Sequence, residues 1–318
     1  MFELRKDMND FLEQLRQAAK NGTVKEQESM ASHVTFRAGG CADYYVEPAG
    51  EEELAAVVRL CRKADMPFYI LGNGSNLLVG DFGYHGVMIH MGKSWDTCRI
   101  AGNQVTAGAG ILLSRVAREA LDHSLTGLEA AAGIPGTIGG AMVMNAGAYG
   151  FEMKDVVQSV RVMDREGKIQ TLSCDQLELS YRHSCIPDKG YIVLEVELEL
   201  HPGDPATIKH SMEDFAARRK EKQPLEYPSA GSTFKRPEGY FAGKLIQDAG
   251  LRGYQVGGAQ VSEKHCGFVI NRGGATAGDI MQLCRDVQDK VREQFGVSME
   301  MEVRTLGQFE CTEGKDLE

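Results

Sequence analysis

The stretch Gly127–Gly150, GLEAAAGIPGTIGGAMVMNAGAYG, carries seven glycines in 24 residues (127, 133, 136, 139, 140, 147 and 150) and no Lys, Arg or Asp. Glycine at this density among small apolar residues permits positive φ and close backbone approach that a Cβ would block. Backbone N–H groups left open in such turns can face an anion, as in phosphate-binding loops. A second segment, Ile70–Val79 (ILGNGSNLLV), is similar in character and holds no charged residue. Two such loops point to a large phosphorylated ligand held by main chain. A pair of tight turns in a packed α/β core is the plainer alternative.

The chain has 318 residues, which suits two or three domains, each with its own core. Its 37 glycines exceed the average share of about 7%. With 42% hydrophobic residues it is not a disordered chain, so the excess glycine belongs to turns. A formal net charge of −10 argues against a nucleic-acid partner, which needs a basic footprint. The first twenty residues are charged throughout and do not read as a secretory signal, and no apolar run approaches the length of a membrane span. The cysteines (Cys41, Cys61, Cys98, Cys174, Cys185, Cys266, Cys284 and Cys311) are scattered without a CxxC pair. They read as thiols of a reducing cytoplasm, and no metal site is expected.

Phe11–Ala19 reads as the end of an amphipathic helix, and Asn21–Ser32 as a polar lead into the fold. Glu51–Ala64 puts Leu54, Val57, Val58 and Cys61 on one helical face, before the strand-like Phe68–Leu71. Leu112–Leu121 is another amphipathic helix. Strands are expected at Val157–Met163 and Tyr191–His201, the latter alternating apolar residues with Glu195, Glu197 and Glu199. His201–Pro205 (HPGDP) is turn chemistry and a plausible domain boundary. A charged helix over 206–222 follows, then an amphipathic one over Gly278–Phe295 and an alternating Met299–Leu306. The common nucleotide signatures are missing: there is no GxxxxGK[ST], and Gly72-Asn-Gly74 leaves the dinucleotide fingerprint incomplete. HExxH and GxSxG are absent too, so the glycine loops suggest an unusual cofactor domain.

Several segments, taken in order, resemble the UDP-N-acetylenolpyruvoylglucosamine reductase (MurB) family. They are Thr35–Gly40 (TFRAGG), Leu71–Leu77 (LGNGSNL), Gly133–Gly140 (GIPGTIGG), Asn145-Ala-Gly147, Ser180–Ser184 (SYRHS), Gly231–Pro237 (GSTFKRP), Ala242–Ile246 (AGKLI) and Glu302-Val-Arg304. The resemblance runs over about residues 33–307, and its order and spacing are together highly specific. It implies an α+β protein: a two-part FAD-binding domain of the PCMH type, then a smaller α/β substrate-binding domain. The matching division is an N-terminal helical extension (1–32), FAD-binding subdomains at 33–90 and 91–204, a substrate-binding domain at 205–307 and a tail at 308–318. FAD would be bound non-covalently and reduced by NADPH. The reduced flavin would then reduce the enolpyruvyl ether of UDP-N-acetylglucosamine-enolpyruvate to UDP-N-acetylmuramate, a peptidoglycan precursor. Only 50 residues separate Arg182 from Ser232, so the chain looks like the type lacking the family's extra tyrosine-loop subdomain.

The resemblance also assigns roles. Ser232 is implied as proton donor, a role a hydroxyl fills only when closely placed. Arg182 and Glu302 are implied partners of the enolate, where a fixed guanidinium supplies transition-state electrostatics. In Met299–Arg304, alternation puts Glu300, Glu302 and Arg304 on one face and cannot choose between the glutamates; the family register selects Glu302. Cofactor contacts are implied at Arg37, at Gly72, Asn73, Gly74, Ser75, Asn76 and Leu77, at Gly133, Ile134, Pro135, Gly136, Gly139 and Gly140, and at Asn145, Ala146 and Gly147. Lys222, Lys235, Arg236 and Gln260 are candidate contacts for the UDP-sugar. Read without the family, Ser232 is a turn residue, Arg182 a loop residue paired with a surface carboxylate, and Lys222 a charged helix end. A monomer in the cytoplasm is the default expectation, with no membrane or nucleic-acid partner.

Two other readings compete. One is another FAD-dependent oxidase or dehydrogenase of a small alcohol or sugar. Such enzymes often attach flavin through a His after two glycines, whereas Gly39-Gly40 is followed by Cys41. The other is a non-catalytic nucleotide-sugar binder, which would not need Ser232, Arg182 and Glu302 together.

Overall fold

The computed structural model describes residues 2–310, so of the expected C-terminal tail (308–318) residues 311–318, Cys311 among them, lie outside the described residues. The chain forms two compact units. The first gathers the described residues up to Glu26 with Tyr44–Asn73 and Gly86–Ala216. The second gathers Gln27–Asp43, Gly74–His85 and the described residues from Ala217. These units cut across the linear divisions at 32, 90 and 204. The physical reason is strand pairing at long range: Leu77–Val79 runs parallel to Arg304–Leu306, in the register Leu77 to Arg304 and Val79 to Leu306.

In the first unit the helix Glu51–Lys63 buries Leu54, Val57, Val58 and Cys61. It leads into Phe68–Leu71, which pairs parallel with the strand Tyr84–His90, Phe68 opposite Val87. A parallel pair needs a crossover connection. Here the chain makes it through the glycine loop at 72–76 and the short strand Leu77–Val79. Glu53 is buried in the first turn of its helix. Its carboxylate accepts hydrogen bonds from the N–H and side-chain amide of Asn21 and from the N–H of Ala49. The stretch Asn21–Ser32 is not merely a polar lead: Thr23–Ser29 is the edge strand of a four-stranded sheet. Its sequence TVKEQES has no apolar alternation because an edge strand needs only backbone pairing.

A five-stranded antiparallel sheet forms the body of this unit. Its order is Ile169–Ser173, Val157–Met163, Ile192–Glu199, Gln104–Gly108, Cys98–Ala101. Val196 and Leu198 are buried, as alternation requires, while Glu195 and Glu197 lie on the wetter face. That face is laced across strands. Glu195 pairs with Arg99 at 3.0 Å and with Arg161, its register partner, at 3.5 Å, and Glu197 accepts from Ser159 Oγ at 2.8 Å. The helix Leu113–Asp122 packs Leu113, Val116, Ala117 and Ala120 inward. After His201–Pro202 a single 18-residue helix, Pro205–Lys222, carries the chain from the first unit into the second.

The second unit holds a three-stranded antiparallel sheet (Gln255–Val256, Ala259–Val261, Val269–Asn271) and the long helix Ala277–Phe295. The helix begins with a capping box readable in the sequence as Thr276-Ala-Gly-Asp279. Thr276 Oγ1 accepts from the Asp279 N–H at 3.0 Å, and the Asp279 carboxylate accepts from the Thr276 N–H at 3.1 Å. The helix ends at Gly296 in the left-handed region. Ile280, Leu283, Cys284, Val287 and Val291 face its core side, and burial pushes the Cys284 thiol up to about 12. The segment Met299–Leu306 is not one alternating strand. Met301 forms an isolated antiparallel bridge with Phe234, the chain bends at Val303, and the parallel strand begins at Arg304.

Candidate active site

In the first unit the two glycine loops meet. Asn73 donates through Nδ2 to the carbonyl of Pro135 at 2.5 Å. Gly72 backs onto Thr137, where a Cβ would fall 2.5 Å from Thr137 Oγ1, so only glycine fits. Thr137, which the sequence reading passed over, is also the N-cap of the helix Ile138–Val143 and accepts the Gly140 N–H at 3.3 Å. Its position three residues before Gly140 was the available signal.

The two glycines of that helix differ. Gly139 is buried, donates to Ala109 O at 3.0 Å, and has room for no Cβ, which would sit 2.9 Å from the Cβ of Ala109. Gly140 is exposed, and a Cβ there would meet only Thr137 Oγ1, at 3.5 Å. The Ile138 N–H is likewise taken, by Ile111 O at 2.8 Å. Among the described residues of this unit, the backbone N–H groups of Asn73, Gly136 and Thr137 donate to no protein acceptor. Unsatisfied donors on uncharged loops, with no side chain at Gly140, fit the phosphate-bearing end of a dinucleotide. Gly133 and Pro135 are exposed on the same loop, Ile134 is half-buried, and Leu77 is core, 2% exposed.

A second cluster in this unit surrounds Arg182. Ser180 and His183 exchange N–H and C=O groups at 3.2 and 3.1 Å, leaving Tyr181 and Arg182 at the tip of a tight turn. Arg182 is half-buried, lies with its guanidinium 5.0 Å from the Tyr181 ring centre, and donates through Nη2 to Gly147 O at 3.2 Å. Asn145 is fully buried and spends its side chain on protein. Nδ2 donates to Ser180 O and to Glu152 Oε2, both at 3.0 Å, and Oδ1 accepts from Lys154 N at 3.0 Å. Ala146 donates its N–H to Ala141 O at 2.8 Å. The Asn-Ala-Gly motif and the Ser-Tyr-Arg-His motif are therefore one structure, although 35 residues separate Asn145 from Ser180.

In the second unit Ser232 and Glu302 are brought together through the residue between them. Thr233 is fully buried. Its N–H donates to Gly267 O at 2.9 Å, its Oγ1 accepts from Val269 N at 2.9 Å, and its carbonyl accepts the Glu302 N–H at 2.8 Å. Ser232 is exposed immediately before this anchor, and Gly231 before it has φ +74°, a conformation that favours glycine. Asn76 fastens the other side. Its Nδ2 donates to Glu302 O at 3.1 Å and its carbonyl accepts the Arg304 N–H at 3.0 Å. The structure also separates the two glutamates. Glu300 is paired with Lys235 at 2.5 Å and its side chain is 71% exposed, whereas Glu302 is half-buried.

The remaining candidates lie as follows. Lys222 is exposed at the end of its helix, while its neighbour Arg219 is buried. Arg236 stacks 3.8 Å from the Phe241 ring centre and donates to Tyr240 O at 3.2 Å. Gln260 is buried and donates to Gly253 O at 3.2 Å. Arg37 is exposed on the TFRAGG turn, whose Phe36 carbonyl accepts from Asn271 Nδ2 at 3.0 Å. Asn271 and Thr233 escaped the sequence reading because a buried polar anchor leaves no periodic signal. Arg37, Asn145 and Arg182 have φ values of +54°, +40° and +55°. Non-glycine residues held there cost roughly 1–3 kcal/mol and cluster at functional sites.

Residues 42–173 match the FAD binding domain family, which places the chain in the class of flavin-nucleotide proteins. Residues 223–306 match the family described as the C-terminal domain of UDP-N-acetylenolpyruvoylglucosamine reductase. The UDP-N-acetylenolpyruvoylglucosamine reductase of Agathobacter rectalis is 53% identical over 300 residues, covering 89% of this chain and 94% of the relative. That of Lachnoclostridium phytofermentans is 51% identical over 304 residues, covering 94% and 98%. The crystal structure of the Thermus caldophilus enzyme superposes with a TM-score of 0.77 at 34% identity, covering 90% of this chain and 98% of that one. The chain belongs to the UDP-N-acetylenolpyruvoylglucosamine reductase family.

Proposed function

We propose that the chain reduces the enolpyruvyl ether of UDP-N-acetylglucosamine-enolpyruvate to UDP-N-acetylmuramate at the expense of NADPH, with Ser232, Glu302 and Arg182 as its catalytic residues. The observation that carries the assignment of roles is the Glu302 N–H···Thr233 O bond. It fixes a carboxylate-bearing residue beside the residue that follows an exposed serine. FAD, when bound, supplies the hydride after NADPH has reduced it, and the open amides of Asn73, Gly136 and Thr137 in the first unit are groups that would hold its phosphates.

The reaction adds a hydride to one carbon of the double bond and a proton to the other. Negative charge develops in between on the substrate carboxylate. Arg182 is always protonated and has donors in a fixed fork, so it stabilises that charge without reorganising. Ser232 Oγ delivers the proton. A hydroxyl is a weak acid, so its delivery depends on a backbone that does not drift, and the three hydrogen bonds of Thr233 hold it. Glu302 partners the same developing charge through its carboxyl group, a role that requires it to donate a hydrogen bond, since a bare carboxylate would repel that charge; it is half-buried, whereas Glu300 is exposed and paired with Lys235. Lys222, Lys235, Arg236 and Gln260 are assigned to the UDP-sugar, where cations offset the phosphates on a chain of net charge −10. Among the described residues no helix is long and apolar enough to cross a membrane; a monomer acting in the cytoplasm is the reading adopted.

The test is stopped-flow absorbance of the flavin in two half-reactions, first with NADPH and then with the enolpyruvyl UDP-sugar. Ser232→Ala is expected to keep the first near wild type and slow the second by orders of magnitude. Equal losses in both would remove Ser232 from the proton-donor role.

A further inference from the structure

We propose that Asn145 is a positioning residue for Arg182: its buried amide fixes the turn that aims the guanidinium. The inference rests on the reading of Arg182 as a catalytic residue. It moves Asn145 from the flavin contacts, where the resemblance had put it, to the chemistry of the second half-reaction.

The geometry is specific. The Asn145 side chain has two donors and an acceptor, and all are spent on three residues in two segments of chain, Glu152 and Lys154 in one and Ser180 in the other. One donor bond goes to the Ser180 carbonyl, the residue that opens the turn bearing Arg182. The other goes to Glu152, whose carboxylate is also paired with Lys154 at 2.7 Å. The Lys154 N–H returns to Asn145 Oδ1, so the network closes on itself. Two residues beyond Asn145, the Gly147 carbonyl accepts from Arg182 Nη2. The loop that carries Asn145 therefore grips the arginine's turn at its base through the amide and the guanidinium through the Gly147 carbonyl. The turn gains a second fastening at Ser184, whose Oγ donates to Val143 O at 2.8 Å.

The local backbone supports this. Both Asn145 and Arg182 sit in the left-handed region, at +40° and +55°. Asn tolerates that region because its short polar side chain can bond to the local backbone, whereas the long arginine side chain offers no such compensation and the residue is strained. A strained arginine stays in place only where its surroundings over-determine it, and the Asn145 bonds are part of what does so. A fully buried side chain satisfied by protein partners on both its nitrogen and its oxygen is poorly placed to contact a cofactor.

The experiment uses the flavin-loaded enzyme. Asn145→Gly keeps the left-handed backbone while removing the side chain, and Asn145→Asp keeps the acceptor for Lys154 but loses the donor to Ser180. Each is expected to slow flavin reoxidation by the enolpyruvyl substrate about 10- to 100-fold, the effect of misplacing a reacting group by about 1 Å. Reduction by NADPH and flavin occupancy are expected to stay near wild type. Glu152→Gln, at a half-buried position, keeps an acceptor for Asn145 and is expected to retain most of the activity; it remains informative if both Asn145 variants fold poorly, because the more disruptive Glu152→Ala is then expected to slow the same step alone. A double-mutant cycle separates the two claims. If Arg182→Ala slows reoxidation and Asn145→Gly adds no further loss on top of it, Asn145 acts through Arg182. Additive losses, or a loss of flavin, overturn the positioning role while leaving Arg182 catalytic. An Arg182→Ala enzyme that reoxidises normally overturns the underlying reading instead.

Discussion

Gly140→Ala offers the sharpest test of how the glycine loops work. Gly140 lies in the first turn of the helix Ile138–Val143, outside the positive-φ glycines, and a Cβ there meets nothing closer than Thr137 Oγ1 at 3.5 Å. Nothing in the protein thus requires glycine. Alanine even improves helix propensity, by up to about 1 kcal/mol. The apoprotein should therefore melt at the wild-type temperature or slightly above it. If the exposed face of Gly140 is where the main chain approaches FAD, the added methyl overpacks the complex, at a cost of roughly 1–3 kcal/mol. At about 1.4 kcal/mol per tenfold, that weakens binding some 5- to 150-fold. Gly139→Ala is the control with the opposite signature. Its Cβ would stand 2.9 Å from Ala109 on both the Cβ and the carbonyl oxygen, so the apoprotein itself should lose stability. Flavin titration by fluorescence quenching and thermal denaturation of the apoprotein read the two quantities separately. Wild-type FAD affinity in Gly140→Ala would refute the main-chain cradle at this helix.

Glu302→Gln should slow flavin reoxidation by the enolpyruvyl substrate by orders of magnitude, whereas Glu300→Gln, which only breaks the exposed pair with Lys235, should leave both half-reactions within a few-fold; the reverse ranking would shift the assignment by two residues. Thr137→Ala removes the N-cap acceptor of Gly140 and should cost about 1 kcal/mol in denaturant unfolding, and an unchanged midpoint would show the cap to be idle. Glu53 supplies a pH prediction. Burial alone would raise its carboxyl pKa, but the hydrogen bonds from Ala49 and Asn21 outweigh burial and hold it below its ordinary 4.5. A depressed folded value means the charged form stabilises the fold above the unfolded pKa, and that contribution fades as pH falls through the acid range below 4.5. Equilibrium unfolding between neutral pH and pH 3 should show this loss in the wild type and a flatter profile in Glu53→Gln; parallel profiles would contradict it.

Much of this architecture is legible in the residues. The helices at 51–63 and 277–295 announce themselves through apolar spacing, although the second begins at Ala277, one residue before the expected Gly278, behind the Thr276–Asp279 cap that apolar spacing alone does not reveal. Gly72 and the loop at 133–140 stand out by composition, and close packing leaves no room for a side chain at Gly72 and Gly139, though there is room at Gly140. What sequence could not yield are facts of long-range pairing. The edge strand Thr23–Ser29 has no apolar pattern because it meets its one neighbouring strand through backbone pairing and polar contacts, such as Gln27 Nε2 to Asp43 Oδ1 at 3.2 Å and Lys25 over the Tyr45 ring. Alternation over Met299–Arg304 fails because the chain bends at Val303, and it is burial and the Lys235 pair of Glu300 that distinguish Glu300 from Glu302. The meaning of Asn145 was hidden for the same reason: its partners Ser180 and Glu152 are named by folding, not by spacing.

The parallel pairing of Leu77–Val79 with Arg304–Leu306 has a consequence for biosynthesis. A ribosome must finish nearly the entire polypeptide before the second unit can close, since one of its strands waits for a mate more than two hundred positions downstream. Loop closure over such a distance slows assembly and lengthens the interval in which a nascent chain needs protection. Excising residues 205–307 as a stand-alone piece would leave Arg304–Leu306 without that mate and the Asn271 amide without the Phe36 carbonyl. A soluble fragment of this half therefore calls for the two early segments to be supplied in trans or grafted by permutation.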